Sequence, residues 1–268
     1  RMNDQNGFSY QDLDVTNERA VRETVLDFQP EAIINTAAMT NVDRCEDDKE
    51  ACDKINIYAV KHLADACAEV GAHLTHISTD FIFDGEAGPY KEDDEANPLS
   101  YYGLSKWNSE QLLQKHSCQW TVLRTIVVYG TADKLSRGNN VLWGRQALKK
   151  GNQLNIIDDQ FRSPTLAEDL ADACILAIKK RAKGVYNVSG KDIMSILEMV
   201  ERMADFYGFD KSIIKRISTT ALNQKAKRPF RTGFILDKAI NELDYQPHSF
   251  EEGLAIVEQQ ILEQENHN

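Results

Sequence analysis

The sequence predicts an α/β protein, a doubly wound parallel sheet with a smaller C-terminal unit interleaved with it. Three observations carry this expectation. Short strand-like runs, largely apolar at 32–37 and 121–129, recur at residues 32–37, 73–78 and 121–129, and amphipathic helical patterns lie between them. Strands that show no polar face imply a sheet covered on both sides, and strand–helix–strand spacing implies parallel crossovers. After Gly130 the alternation gives way to shorter strands and turn-rich loops, which sets the division near residue 133: residues 1–133 form the sheet unit, and 134–268 mainly the second.

Each element has its own signal. Residues 18–28 repeat apolar positions at helical spacing, with Thr16 or Asn17 as the start cap and Pro30 beyond the end. Residues 32–37 read as a strand. Residues 46–70 read as one helix closed by Gly71, the residue that takes the left-handed turn at helix ends. A strand at 73–78 follows, then a loop at 84–98 rich in Gly, Asp, Glu and Pro, a helix from Tyr102 to about 116, and a β-branched strand at 121–129. The second half reads as a helix after 138–140, a strand at 154–157, a turn-rich loop at 158–165, a helix at 165–180, a strand at 184–190, and helices at 192–207 and 250–263.

Composition excludes several classes. The chain has 268 residues, 42% hydrophobic and 27% charged, and no run of 18 apolar residues, so no membrane span is expected. A net charge of -11 argues against nucleic acid and anionic membranes as partners. Cys45, Cys52, Cys67, Cys118 and Cys174 are odd in number and form no Cys-x-x-Cys, which fits reduced thiols in a cytoplasm. The six histidines show no ligand spacing, no metal is expected, and His73 and His76 read as structural.

The chemistry is carried by Tyr102 and Lys106. Four residues apart, they share one helix face, and an ammonium beside a phenol favours the phenolate, so Tyr102 reads as a proton donor and acceptor near neutral pH. Such a pair alone is an ordinary helix feature. Three further patterns stand in order around it: Asn35 to Ala38 at one strand end, Ser78-Thr79-Asp80-Phe81-Ile82-Phe83-Asp84-Gly85 at the next, and Leu123-Arg124-Thr125 with Val128-Tyr129-Gly130.

Together these motifs resemble the extended short-chain dehydrogenase/reductases, and within them the dTDP-4-dehydrorhamnose reductases, over nearly the whole chain. The resemblance implies a Rossmann-type dinucleotide-binding unit at 1–133 and a substrate-binding unit at 134–268. It implies NADPH or NADH as cofactor, a nucleotide sugar as substrate, and a homodimer. Tyr102 would protonate the alkoxide, Lys106 would hold the nicotinamide ribose, and Thr79 would orient the carbonyl oxygen. Asp14 and Val15 would meet the adenine, with a plain turn as the other reading of Asp14. Ala37, Ala38 and Thr40 would pass close to the cofactor, and Asn56 would be cofactor-facing or structural. Asp80 would shape the sugar site or close a turn. Arg228 and Arg231, in a basic loop at 226–231, would grip the diphosphate or remain solvated. Asn140, Gln160 and Arg162 would line the same region, and Trp143 and Phe161 read as core.

The chain also departs from the pattern. The Gly-x-x-Gly-x-x-Gly turn that seats a pyrophosphate does not occur, so the sequence is expected to begin past the first βαβ unit of a longer chain. Phe81 replaces a frequent tyrosine, and Val127 an aromatic that often covers the sugar. A regulatory subunit like the beta subunit of methionine adenosyltransferase, and a nucleotide-sugar epimerase or dehydratase, are the alternative readings.

Overall fold

The computed structural model describes residues 9–131, 139–222 and 224–266. The division expected at residue 133 lies outside the described residues. Four parallel strands form the main sheet in the order β1 (Ala32–Asn35), β2 (His73–Thr79), β3 (Gln119–Thr125) and β8 (Gly184–Asn187). The register is continuous, with Ala32 opposite His73, His73 opposite Gln119, and Thr121 opposite Gly184. Between β3 and β8 lie four short strands, β4 (Val128–Tyr129), β5 (Leu154–Ile157), β6 (Phe161–Arg162) and β7 (Thr165–Leu166). β9 (Met194–Ser195) and β10 (Ile214–Ile217) follow.

Helices cover both sheet faces, so the strands are buried on both sides. On one face α1 (Glu18–Phe28), α4 (Ala59–Val70) and α5 (Tyr101–Gln114) bury Val21, Val25, Leu63, Cys67 and Leu113 against Leu74, Trp120 and Val122. On the other, α7 (Ala167–Lys179) and α9 (Asp237–Leu243) bury Ala173, Ala177, Ala239 and Leu243 with Leu123 and Tyr186. A separate apolar cluster joins α6 (Asn140–Lys149), α8 (Ile196–Tyr207) and α10 (Phe250–Asn266) around Val141, Met199, Met203, Leu254 and β5. Phe234, Leu236 and Tyr245 join the cluster around Leu123 and Tyr186. Among the described residues no helix is long and apolar enough to cross a membrane, and all five cysteines are buried free thiols.

Several boundaries differ from the sequence reading. β1 stops at Asn35 because its side-chain oxygen accepts from Ala37 N at 3.1 Å and turns the chain off the sheet. The single helix expected at 46–70 is broken. α2 (Val42–Asp47) is capped by Asn41, and α3 (Lys49–Asp53) by Asp48, whose backbone is non-helical. A π-helical turn at Lys54–Tyr58 then leads into α4. The strand expected at 121–129 is split by Val127, whose φ of +42° is a strained value for a β-branched residue, and β4 leaves the main sheet to pair with β7. Asn17 caps α1, Gly71 closes α4 at φ +73°, and Ser100 caps α5 by accepting from Gly103 N at 3.2 Å.

One buried charge pair locks α5 to the sheet. Arg124 on β3 meets Glu110 on α5 at 2.8 Å, with exposures of 2% and 0%, and Ser78 donates to the same carboxylate at 2.5 Å. A leucine at 124 would strand the Glu110 charge in the interior. Arg124→Leu is therefore expected to cost about 3–5 kcal/mol, and Arg124→Leu/Glu110→Leu much less. Urea midpoints of the two variants check this: equal losses would show that the stranded charge is not the cause.

Candidate active site

Three side chains converge at the carboxyl end of β2. Thr79 ends the strand, and Tyr102 and Lys106 sit one turn apart on the first half of α5. Ligand sites in open parallel sheets form at this end of the strands. The helix can approach because residue 103 is glycine: a Cβ there would lie 2.1 Å from the Phe81 carbonyl oxygen. The Phe81 ring braces Tyr102 edge-on, centroids 5.7 Å apart at 70°. Lys106 is 2% exposed and Thr79 6%, whereas Tyr102 is only part-buried.

The electrostatics differ from the sequence expectation in two respects. Burial raises the Tyr102 phenol above its ordinary value; the Thr79 side chain opposes this by hydrogen bonding, and Asp80, Cys45 and Cys52 add to the rise. The neighbouring Lys106 does not reverse this rise. Burial lowers the amine itself to about 8, against the pull of Glu110 and Cys52, so Lys106 is not a permanent ammonium. A phenol that keeps its proton is the form a proton donor needs.

Among the described residues, Lys106 Nζ has one hydrogen-bond partner, His76 Nε2 at 2.9 Å, which leaves the amine capacity for further contacts. An amine with free capacity one helix turn from a part-buried phenol is a donor set that fits a nicotinamide ribose and a carbonyl substrate. His76 was expected to be merely structural, and its contact with Lys106 is the residue role that the sequence reading missed. His73 is structural, bonded to Thr121 Oγ1 at 2.9 Å.

The loop after β1 passes nearby. Ala37 and Ala38 are half-buried and Thr40 is exposed. Asn56 ties this loop down. From the π-helical turn its side-chain oxygen accepts from Met39 N at 2.8 Å, and its amide donates to Met39 O at 3.1 Å and to Ser105 Oγ at 2.9 Å. With no exposure and all groups engaged, Asn56 positions the loop rather than facing a cofactor. Asp14 is exposed; it accepts from Thr16 N at 2.9 Å and Thr16 Oγ1 at 2.7 Å and so closes the turn into α1, which lowers its pKa. Val15 packs against the α1–α4 core, its carbonyl 3.3 Å from His62 Nδ1.

The expected substrate groups divide. Asp80 is buried and engaged: Thr79 Oγ1 donates to it at 3.2 Å, Thr232 Oγ1 at 2.5 Å, and Arg162 lies 3.7 Å away. Burial raises its pKa against these partners. Arg228 is not a free cation; its guanidinium bonds Asp43 on α2 at 2.8 Å and the Ala226 carbonyl at 3.0 Å. Arg231 is exposed and lies 5.1 Å over the Phe161 ring. Asn140 is exposed as the first residue of α6, and the capping is done by Asn139. Trp143 is 50% exposed, contrary to its reading as core, and Phe161 is part-buried. Arg162 is buried and donates to the carbonyls of Phe161 at 2.7 Å, Pro229 at 2.8 Å and Phe230 at 3.3 Å, so it fixes the backbone of the basic loop.

A family model described as the RmlD substrate binding domain matches residues 3–262. The chain belongs to this family. The RmlD-type chain is 31% identical over 244 residues to the spore coat polysaccharide biosynthesis protein SpsK of Bacillus subtilis (strain 168), covering 90% of this chain and 83% of that one. It is 33% identical over 211 residues to the methionine adenosyltransferase 2 subunit beta of Xenopus tropicalis, covering 77% of this chain and 63% of that relative. Its structure superposes on that of dTDP-4-dehydrorhamnose reductase from Bacillus anthracis str. Ames in complex with NADP with a TM-score of 0.85, at 28% identity, covering 92% of this chain and 87% of that one. The fold is thus Rossmann-like and of the extended short-chain dehydrogenase/reductase type.

The lowered amine predicts a pH effect. Below pH 8 folded and unfolded chains both hold the Lys106 proton, and burial of the ammonium costs stability in full. As pH rises from about 8 towards 10.5, the folded chain has released the proton while the unfolded chain retains it, so stability rises. Lys106→Met lacks this rise. Urea midpoints at pH 7 and pH 10 are expected to show the variant's advantage shrinking at the higher pH; a constant difference would contradict the buried-amine account.

Proposed function

We propose that the chain is an NAD(P)H-dependent oxidoreductase that reduces the 4-keto group of a nucleotide-linked 6-deoxysugar, in the manner of a dTDP-4-dehydrorhamnose reductase. The observation that carries this reading is the convergence of Thr79, Tyr102 and Lys106 at the carboxyl end of β2. Membership of the RmlD family and likeness to an NADP-bound reductase support it. When bound, the nicotinamide supplies hydride to the carbonyl carbon. The phenol of Tyr102 donates its proton to the developing alkoxide, and the Thr79 hydroxyl orients the carbonyl oxygen towards it. The Lys106 amine holds the ribose hydroxyls and, when protonated, returns a proton to Tyr102.

On this reading residues 1–133 hold the cofactor, with Ala37, Ala38 and Thr40 along its path, and 134–268 hold the nucleotide sugar. Arg231, exposed over Phe161, is the diphosphate ligand of the basic loop, while Arg228 braces the loop on Asp43.

A second reading is a cofactor-binding regulatory subunit, favoured by the methionine adenosyltransferase subunit beta relatives. Retention of all three reactive groups favours the enzyme. Tyr102→Phe keeps the ring and removes the donated proton, and is expected to lower turnover by at least about 10²-fold with an unchanged urea midpoint. The assay is NAD(P)H absorbance at 340 nm with a dTDP-4-keto-6-deoxysugar. Unaltered turnover in the variant would overturn the assignment of Tyr102. A wild-type chain inert in this assay but co-purifying with a methionine adenosyltransferase would favour the regulatory reading.

A further inference from the structure

Behind the reactive lysine a closed chain of hydrogen bonds runs from the loop after β1 to α5. Ala37 N lies 3.1 Å from Asn35 Oδ1, Asn35 Nδ2 lies 3.1 Å from His76 Nδ1, and His76 Nε2 lies 2.9 Å from Lys106 Nζ. Donor and acceptor chemistry fixes the direction along this chain. A backbone N–H can only donate, so the Asn35 atom facing Ala37 is the oxygen. The amide nitrogen can also only donate, so His76 Nδ1 is the bare nitrogen and the ring proton sits on Nε2.

Nε2–H has two neighbours, Lys106 Nζ and Ser109 Oγ, the latter at 3.1 Å with its own proton given to the Lys106 carbonyl at 2.7 Å. An ammonium at 2.9 Å would set proton against proton. A neutral amine offers a lone pair instead. His76 has no exposure, so water cannot relieve the conflict.

We propose that His76, oriented by Asn35, is a positioning residue that donates through Nε2–H to Lys106 and favours its neutral amine in the ligand-free chain. This deepens the reductase reading and rests on it for the role of Lys106. To become an ammonium, Lys106 needs His76 in the other tautomer and the Asn35 amide turned over, which releases the Ala37 N–H on the loop that the reading sets beside the cofactor. The charge on Lys106 and the hydrogen bonding of that loop are then one event.

The other charged groups around the amine do not supply the neutral form. Glu110, one turn along α5, favours the ammonium but is paired with Arg124 and Ser78. Cys52, on α3, also favours it. Tyr102, on α5, keeps its proton and adds no charge. Burial works in the same direction as His76, lowering both the lysine and the imidazole, so the ring stays neutral with a single proton to place.

The test is nuclear magnetic resonance on the whole chain without substrate. In ¹⁵N spectra of the wild type on the alkaline side of pH 8, where Lys106 has released its proton, His76 is expected to show protonated Nε2 and bare Nδ1; bare Nε2 would overturn the proposal. Asn35→Ala frees the ring to present bare Nε2, and Lys106, followed by ¹³Cε titration, is expected to titrate at least about one pH unit higher. An unchanged titration would also overturn the proposal, because a merely structural asparagine would leave that curve alone. If Asn35→Ala does not fold, the wild-type tautomer decides alone. These measurements need no turnover, so a chain inert towards NAD(P)H and nucleotide sugar would remove the reductase reading while leaving the His76 result to stand or fall separately.

Discussion

The site depends on a polar seam between β2 and α5. His76 and Ser78 point from one face of the strand, and Lys106, Ser109 and Glu110 point back from the helix. Arg124, on the neighbouring strand, completes it. Such a seam inside a sheet–helix interface is tolerable only when every group is partnered, and the specific pairings leave α5 one rotation about its axis. That rotation sets Tyr102 beside Thr79. An apolar interface of equal area would hold the helix as firmly but would not fix its angle so narrowly.

Much of the fold was legible because the hydrophobic pattern reports burial directly. The strands read at 73–78 and, for its first residues, at 184–190, and the helix ending at Gly71, follow from strand-like runs and a glycine stop. What stayed hidden depended on contacts distant in sequence. The π-helical turn at Lys54–Tyr58 carries Asn56, which bonds Met39 seventeen residues back. The split at Val127 depends on β4 pairing with β7.

The site was legible in part for the same reason. Tyr102, Lys106 and Thr79 lie in local motifs. The role of His76 was in principle readable: His76 and Ser78 share a strand face, and Lys106 and Glu110 share a helix face one turn apart. Two polar pairs of matching spacing on adjacent elements signal a facing seam. The phenol's pKa could not be read, because spacing gives the neighbour and not the burial. Arg228 looked like a phosphate ligand because its partner Asp43 is 185 residues away.

Apart from the Arg228–Asp43 pair, the basic loop is held through its main chain. Arg162 grips the carbonyls of residues 229 and 230, Phe161 exchanges backbone hydrogen bonds with Phe230 and Thr232, and Asp43 accepts from Ala226 N. The path of the polypeptide is thus insulated from the identity of the exposed side chains at 227, 230 and 231. A substitution at those positions would change the chemistry that the loop presents to its surroundings while the scaffold keeps its shape.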